Sequence, residues 1–334
     1  MPKFTHLHTH SHYSLLSALP KIPELVLAAK RDGMDSLALT DNGNLYGAIE
    51  FYKECKKEGV KPIIGIDAYL ALRSRTDKQA GIDNRRSRLV LLAKNFDGYK
   101  NLMNLVTKAH LEGFYYKPRI DKELLKIHGQ GLICIVPSFS GDIIQTLRHD
   151  SEKAREILKG YHDIFGSDLY LEITHHPEIE GHSDRMTKVT ALGKETGVPL
   201  VAAHDVYYLY PEDRKARLTL TSIQTNIDLS ERTGAEESED FSFITMGQAE
   251  QFFSALPEAL ENTQVIANAC NLKLELGTWV FPNIEVPEGR NADLELRHIV
   301  YQGIEKRNIK ATKEITDRIE YELSVISQKG FASY

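Results

Sequence analysis

FTHLHTHSHYSLLSA, residues 4–18, sets His6, His8 and His10 at every second position of an alternating stretch. On extended backbone that spacing turns all three imidazoles to one face. The stretch breaks at a turn over residues 17–20. A helix is expected next from about Ile22 to Arg31, with Pro23 and Glu24 suiting its first turn and Gly33 its end. SLALT (36–40) reads as a short apolar strand ending at Asp41, followed by a helix over about 45–57, closed by Gly59, and a strand over 63–70. The unit recurs, with strands at 89–93, 132–136, 169–173 and 200–203 and helices near 98–110, 143–165 and 184–196. Seven short apolar strands alternating with helices favour parallel pairing, because parallel neighbours need crossover connections. Seven in succession suit a closed βα barrel better than an open sheet.

In such barrels the chemistry gathers where strands run into the following loops. Those places are loaded here: Asp41 ends the second strand, Asp67 lies in the third, His175 and His176 follow the sixth, and His204 and Asp205 follow the seventh. Any one of these residues is more often a cap or a core group than a ligand. Imidazoles and carboxylates converging on one mouth suit Zn²⁺, Mn²⁺ or Fe and hydrolytic chemistry.

The remaining composition narrows the field. The 334 residues allow roughly two domains. With 42% hydrophobic residues the chain is not disordered, and 41 basic against 47 acidic side chains leave no global basic surface for nucleic acid. Cys55, Cys134 and Cys270 form neither a disulfide framework nor a Cys-x-x-Cys knuckle. No phosphate-binding glycine loop, dinucleotide fingerprint or nucleophile elbow is present. No apolar run approaches spanning length and no signal segment opens the chain, so a cytoplasmic protein with no membrane contact is expected.

Longer stretches carry a resemblance. HLHTHSHYSLLSA (6–18) and ALTDNGNLYGAIEFY (38–52) continue through PIIGIDAYLA (62–71), LLAKNFDGYKNLMNLVTKAHLEGFYYKPRID (91–121), PEALENTQVIANACNL (257–272) and RIEYELSVISQKGFASY (318–334). Together they resemble the PHP (polymerase and histidinol phosphatase) family. More narrowly, they resemble the N-terminal PHP domain of bacterial replicative DNA polymerase III alpha subunits, over essentially the whole chain. The resemblance implies an α/β fold, a distorted seven-stranded, TIM-like βα barrel over residues 1–281. A connector and the first helices of a polymerase palm would follow over 282–334.

It also implies a three-ion site, to which His8, His10, Asp41, Asp67, His176 and Asp205 correspond, Asp67 standing where a glutamate is usual. Five positions depart from the pattern: Ser17 for an aspartate, Asn42 and Tyr207 for histidines, Ser138 for a cysteine and Arg88 for a histidine. Three ions cannot be built from what remains, so one or two divalent metals (Zn, Mn or Fe), or none, are expected. Arg88 has five donors and no lone pair. It either enters the mouth and pairs with Asp41, Asp67 or Asp205 in a cation's place, or faces solvent with the basic stretch RSRTDKQAGIDNRRSR (73–88).

For function the resemblance implies a DNA-directed DNA polymerase as the full-length parent, using Mg²⁺ in its palm, with DNA and the other holoenzyme subunits as partners. The barrel is expected to be a degenerate phosphoesterase kept as a scaffold and as a docking surface for a proofreading exonuclease. The rival is a barrel still active as a metal-dependent 3′–5′ exonuclease or phosphoesterase. Three further stretches carry lesser expectations. The basic stretch is expected to be a solvated, mobile loop more often than a phosphate contact. The acidic run 235–240 reads as an exposed loop, and FYYKP (114–118) either stacks bases or packs on the barrel rim. An apolar stripe, Ile315, Ile319, Leu323 and Ile326, should be partly exposed.

Overall fold

Eight strands assemble around the central Lys61–Ala71 (β2): Ser36–Leu39 (β1), Arg86–Ala93 (β3), Phe114–Tyr115 (β4), Lys117–Ile120 (β5), Leu132–Val136 (β6), Leu169–Ile173 (β7) and Leu200–Ala202 (β8) complete them. They are seen in a computed structural model that describes residues 3–226, 239–278 and 280–334; residues 235–238 of the acidic run lie outside these. The chain divides into two units, Met1–Lys273 and Leu274–Tyr334. In the first, β1 pairs parallel with the start of β2 and β5 parallel with its end, while β3, β6, β7 and β8 follow in order on the other side. The β6–β7 and β7–β8 pairs are parallel, as expected for strands linked through helices.

β3 departs from the expected parallel order and runs antiparallel to both β2 and β6. The cause lies in residues 72–85, which contain no helix. The chain therefore returns directly rather than by a crossover, and a direct return makes an antiparallel neighbour.

Residues 4–10 are not a regular strand, yet they act as the last stave of the barrel. On one side the Ala38 amide donates to the His6 carbonyl (2.9 Å) and the Thr40 amide to that of Thr9 (2.8 Å). On the other, the His10 amide donates to the Val206 carbonyl (3.0 Å) and the Val206 amide to that of His8 (3.1 Å). Both ends of the curled sheet are thus bridged by one short segment. Inside sit Leu7, Ile63, Val90, Leu92, Ile133, Ile135 and Val201, all buried. β6 and β7 are buried at every position, as expected of strands covered on both faces.

Residues 72–85 are built rather than loose, which corrects the expectation of a solvated, mobile loop. Arg119 on β5 is fully buried, and its guanidinium donates to the backbone carbonyls of Arg75, Asp77, Asp83 and Gly113 at 2.8–3.1 Å. Arg75 pairs with Glu112, Asp121 and Glu123, and Arg73 with Asp83. Most of the basic residues of the stretch that precede Arg85 are thereby consumed within the loop.

The second unit contains the helices Ala292–Lys306 and Lys313–Gln328, capped by the side chains of Asn291 and Thr312. Arg297 and Tyr301 of the first both reach Glu320 of the second. The stripe Ile315, Ile319, Leu323 and Ile326 is half-buried, and no residue of its helix is fully buried.

Replacing Arg119 by Met leaves four carbonyls, two of them buried, without their shared donor. The Arg119→Met variant is expected to lose about 2–4 kcal/mol in urea unfolding. Trypsin should then cut first between residues 72 and 85; a loop as resistant as in the parent would contradict this account.

Candidate metal centre at the barrel mouth

Three elements bring the central groups together. His8 and His10 lie two residues apart on the bridging segment, Asp67 is on β2 and Arg88 on β3. Asp67 is opposite Val90 and Tyr69 is opposite Arg88, so Asp67 and Arg88 are diagonal neighbours on one face of the antiparallel pair. The guanidinium Nη2 lies 2.6 Å from Asp67 Oδ2 and over the Tyr69 ring at 4.8 Å. The same carboxylate oxygen meets His8 Nε2 at 3.2 Å and His10 Nε2 at 3.3 Å. Asp67, although a methylene shorter than the glutamate expected at its position, is the point where both histidines and the arginine converge.

His8 turns its other nitrogen to a second acidic pair. Nδ1 lies 2.8 Å from Asp205 Oδ1 and 2.9 Å from Glu172 Oε2, and the other Glu172 oxygen accepts from the Ser138 amide at 2.8 Å. An imidazole with carboxylates at both nitrogens needs a proton on each, so the geometry is that of an imidazolium. Burial opposes that charge, but Asp205 and Glu172 outweigh it and raise His8 well above the ordinary histidine value. Burial likewise pushes Asp67 up, while Arg88 and the two histidines hold it well below the usual carboxylate range. Against burial, His8 holds Asp205 at about 2. Glu172 is raised, by burial first and then by the charge of Asp205. Two cationic groups, Arg88 and His8, thus face three carboxylates, Asp67, Asp205 and Glu172, inside the mouth.

Two groups of donors can hold an ion: His8 with His10 and Asp67, and His8 with Glu172 and Asp205. They cannot both be filled, because they share His8 through opposite nitrogens and a neutral imidazole has one lone pair. In the first group the donor oxygen already carries Arg88. A divalent ion about 4 Å from a guanidinium meets roughly 8 kcal/mol of repulsion at an effective dielectric near 20. The second group, one imidazole and two carboxylates, fits a single ion once His8 gives up its proton. The donor set therefore fits one ion and not three.

The other residues expected at the mouth stand outside the two donor groups, some of them in contact with a member. Asp41 accepts from the Ser11 amide and hydroxyl (both 2.8 Å) and from the Ser14 hydroxyl (2.6 Å), so it staples the turn after the bridging segment and stands outside both donor groups. His176 faces Glu178 at 3.1 Å and stacks on His204 at 4.7 Å, also outside both. Tyr207 lies flat on His10, with ring centroids 4.2 Å apart. The Ser138 hydroxyl bonds that of Thr174 at 2.8 Å, and Ser17 accepts from Gln224 at 3.3 Å. Asn42 bridges to Asp67 through the backbone. His6, expected on the same face as His8 and His10, turns away to the Ile244 carbonyl at 2.9 Å and lies tilted against Phe243, because residues 4–10 are too irregular to keep strict alternation. Glu172 was not expected. Its one signal was a lone acid inside the apolar strand LYLEI.

The PHP domain family model matches residues 6–176. DNA polymerase III subunit alpha of Borreliella burgdorferi is 40% identical over 99% of this chain and 29% of its own length, and that of Aquifex aeolicus 38% identical over 99% and 30%. The chain thus spans less than a third of the length of these relatives. Among solved structures, an amidohydrolase from Chromobacterium violaceum superposes with a TM-score of 0.40 at 14% identity, covering 61% of this chain and 87% of its own. No described helix is long and apolar enough to cross a membrane. With its family model matched from the first histidine of the bridging segment to His176, the chain belongs to the PHP domain family.

Proposed function

We propose that this chain is the PHP portion of a bacterial replicative DNA polymerase alpha subunit, with residues 282–334 beginning the palm, and that its barrel is a degenerate metal-dependent phosphoesterase kept as a scaffold. The observation that carries this reading is Arg88 on Asp67 at 2.6 Å, with His8 spanning Asp67, Glu172 and Asp205. A hydrolytic centre spends its cationic charge on polarising substrate and water. Here that positive charge is supplied by Arg88 and His8, which are already paired with carboxylates. DNA synthesis, Mg²⁺ in the palm, the other polymerase subunits and a docked proofreading exonuclease belong to the whole protein under the same proposal, supported by the 38–40% identity to alpha subunits.

The rival reading keeps one ion on His8, Glu172 and Asp205, where it would supply an activated water to a phosphate ester. His8 would then hold the ion through Nδ1 and donate from Nε2 to Asp67. The internal salt links favour the first reading, because this one must break the imidazolium.

Two measurements decide between them. The melting temperature of the purified chain should be the same in EDTA and in micromolar Zn²⁺ or Mn²⁺. Arg88→Ala strands a buried carboxylate and should cost about 3–5 kcal/mol, and its melting temperature should then rise with added metal. A parent chain whose melting temperature falls in EDTA would defeat the scaffold reading. In the second measurement, the chain should release no mononucleotides from a mismatched primer in Mg²⁺, Mn²⁺ or Zn²⁺. Release that disappears with His8→Ala would establish the enzyme instead.

A further inference from the structure

Beside the salt-linked centre lie two adjoining cavities that the proposed scaffold role does not use. One, of about 500 Å³, is lined by Arg85, Arg86, Arg88 and Lys117 with Ser17 and Gln224 among its polar groups. The other, of about 230 Å³, is lined by Tyr13, Tyr46, Tyr69, Phe114 and Tyr116 with Asn42 and Asn44. Tyr69 and Lys117 line both, so the two cavities adjoin across these side chains, one basic and the other aromatic. Together they reach the size of small-ligand sites, about 300–1,000 Å³.

The charge in the basic end is not compensated. Arg86, Arg88 and Lys117 all lie within 6 Å of the Tyr69 ring centroid, at 5.5, 4.8 and 5.9 Å. Among the described residues only Arg88 has an acidic partner, Asp67, and even so its Nε donates to nothing. Arg86 spends one donor on the Asn84 carbonyl at 2.9 Å. Burial and the like charges of Arg86 and Arg88 push the Lys117 ammonium below its usual range. Holding these cations together without a counter-charge is costly, and a polyanion removes the cost.

The aromatic end is held open. FYYKP folds as a hairpin, Phe114 opposite Pro118 and Tyr115 opposite Lys117, with Tyr116 alone at the apex at φ 59°. A tyrosine in the left-handed region is strained, and the outcome is a ring two-thirds exposed beside Tyr46 and Phe114, which are also more than half exposed. Beneath them Gly43, at φ 63°, lets the backbone run against Tyr69 and Pro118, which a Cβ would meet at 3.1 Å.

We propose that this composite cleft is a nucleotide site: a base stacks among Tyr46, Phe114 and Tyr116 while its phosphates lie on Arg85, Arg86 and Lys117, held by side chains alone and without hydrolysis. Aromatic platforms beside a basic groove are the usual means of holding single-stranded nucleic acid. The same chemistry accepts the end of a single DNA strand or a free nucleoside triphosphate. The site stands apart from the question of whether the barrel cleaves, since none of these groups is a metal donor.

The test is calorimetric titration of the whole chain, in EDTA at low salt, with hexathymidylate, dATP and inorganic triphosphate. Either nucleotide ligand should bind more tightly than triphosphate by about tenfold or more, the weight of one stacked base. Hexathymidylate tighter than dATP assigns the site to a strand, and the reverse assigns it to the free nucleotide. Tyr116→Ala should weaken the preferred ligand by about fivefold or more. Arg86→Ala with Lys117→Ala should lower the slope of log K against log salt by about 0.7 for each cation removed, whereas Lys153→Ala on a distant exposed helix should change neither. Binding absent up to millimolar ligand, triphosphate equal to dATP, or loss only in EDTA would each overturn the proposal.

Discussion

A carboxylate sealed inside the mouth of a barrel has to be met by positive charge, and the rest of this molecule is arranged around how Asp67 meets that need. Water cannot reach it, so an uncompensated ion would cost several kcal/mol. A bound cation is one solution. This chain has another: a guanidinium from the neighbouring strand, placed two residues along an antiparallel register that exists only because residues 72–85 return without a helix. The reversed strand is therefore more than a local irregularity of a parallel barrel. It is what lets Arg88 approach Asp67 from the side.

Charge balance then spreads outward. With one oxygen of Asp67 shared by Arg88, His8 and His10, the second nitrogen of His8 is left to Asp205 and Glu172. Tyr207 covers His10, and Ser138 anchors Glu172 through its amide. The residues that break the pattern of the resembled family are thus not scattered losses. Arg88, Tyr207 and Ser138 each contact a member of the centre and fit a metal-poor mouth together.

Much of this could be read from residues alone. Strands such as LICIV announced themselves by unbroken apolar runs, His8, His10 and Asp205 by standing at strand ends, and Asp67 as an acid within a strand. What escaped were matters of orientation. Alternation predicted one face for His6, His8 and His10, but the segment is bridged rather than paired along its length, so His6 rotates away. Asp41 sits at a strand end, yet Ser11 and Ser14 lie within reach and capture it. Arg88 could have faced either way by pattern, since the neighbouring cations of its stretch are used so differently: Arg73 and Arg75 are tied down within the loop, while Arg85 and Arg86 line a cavity. Glu172 was hidden by the apolar character of its own strand.

The bridging segment has a consequence for how the chain comes into being. Residues 4–10 are made before both of their neighbours, and one side of them is satisfied early, by Ala38 and Thr40. Their other side waits for Val206. During synthesis at about 5–20 residues per second, the opening stretch thus spends roughly ten seconds or more with half its backbone groups unclaimed. Contacts of such long sequence separation slow folding, so the barrel seals late, and the acidic and basic groups of its mouth stay wet until the final stave is in place.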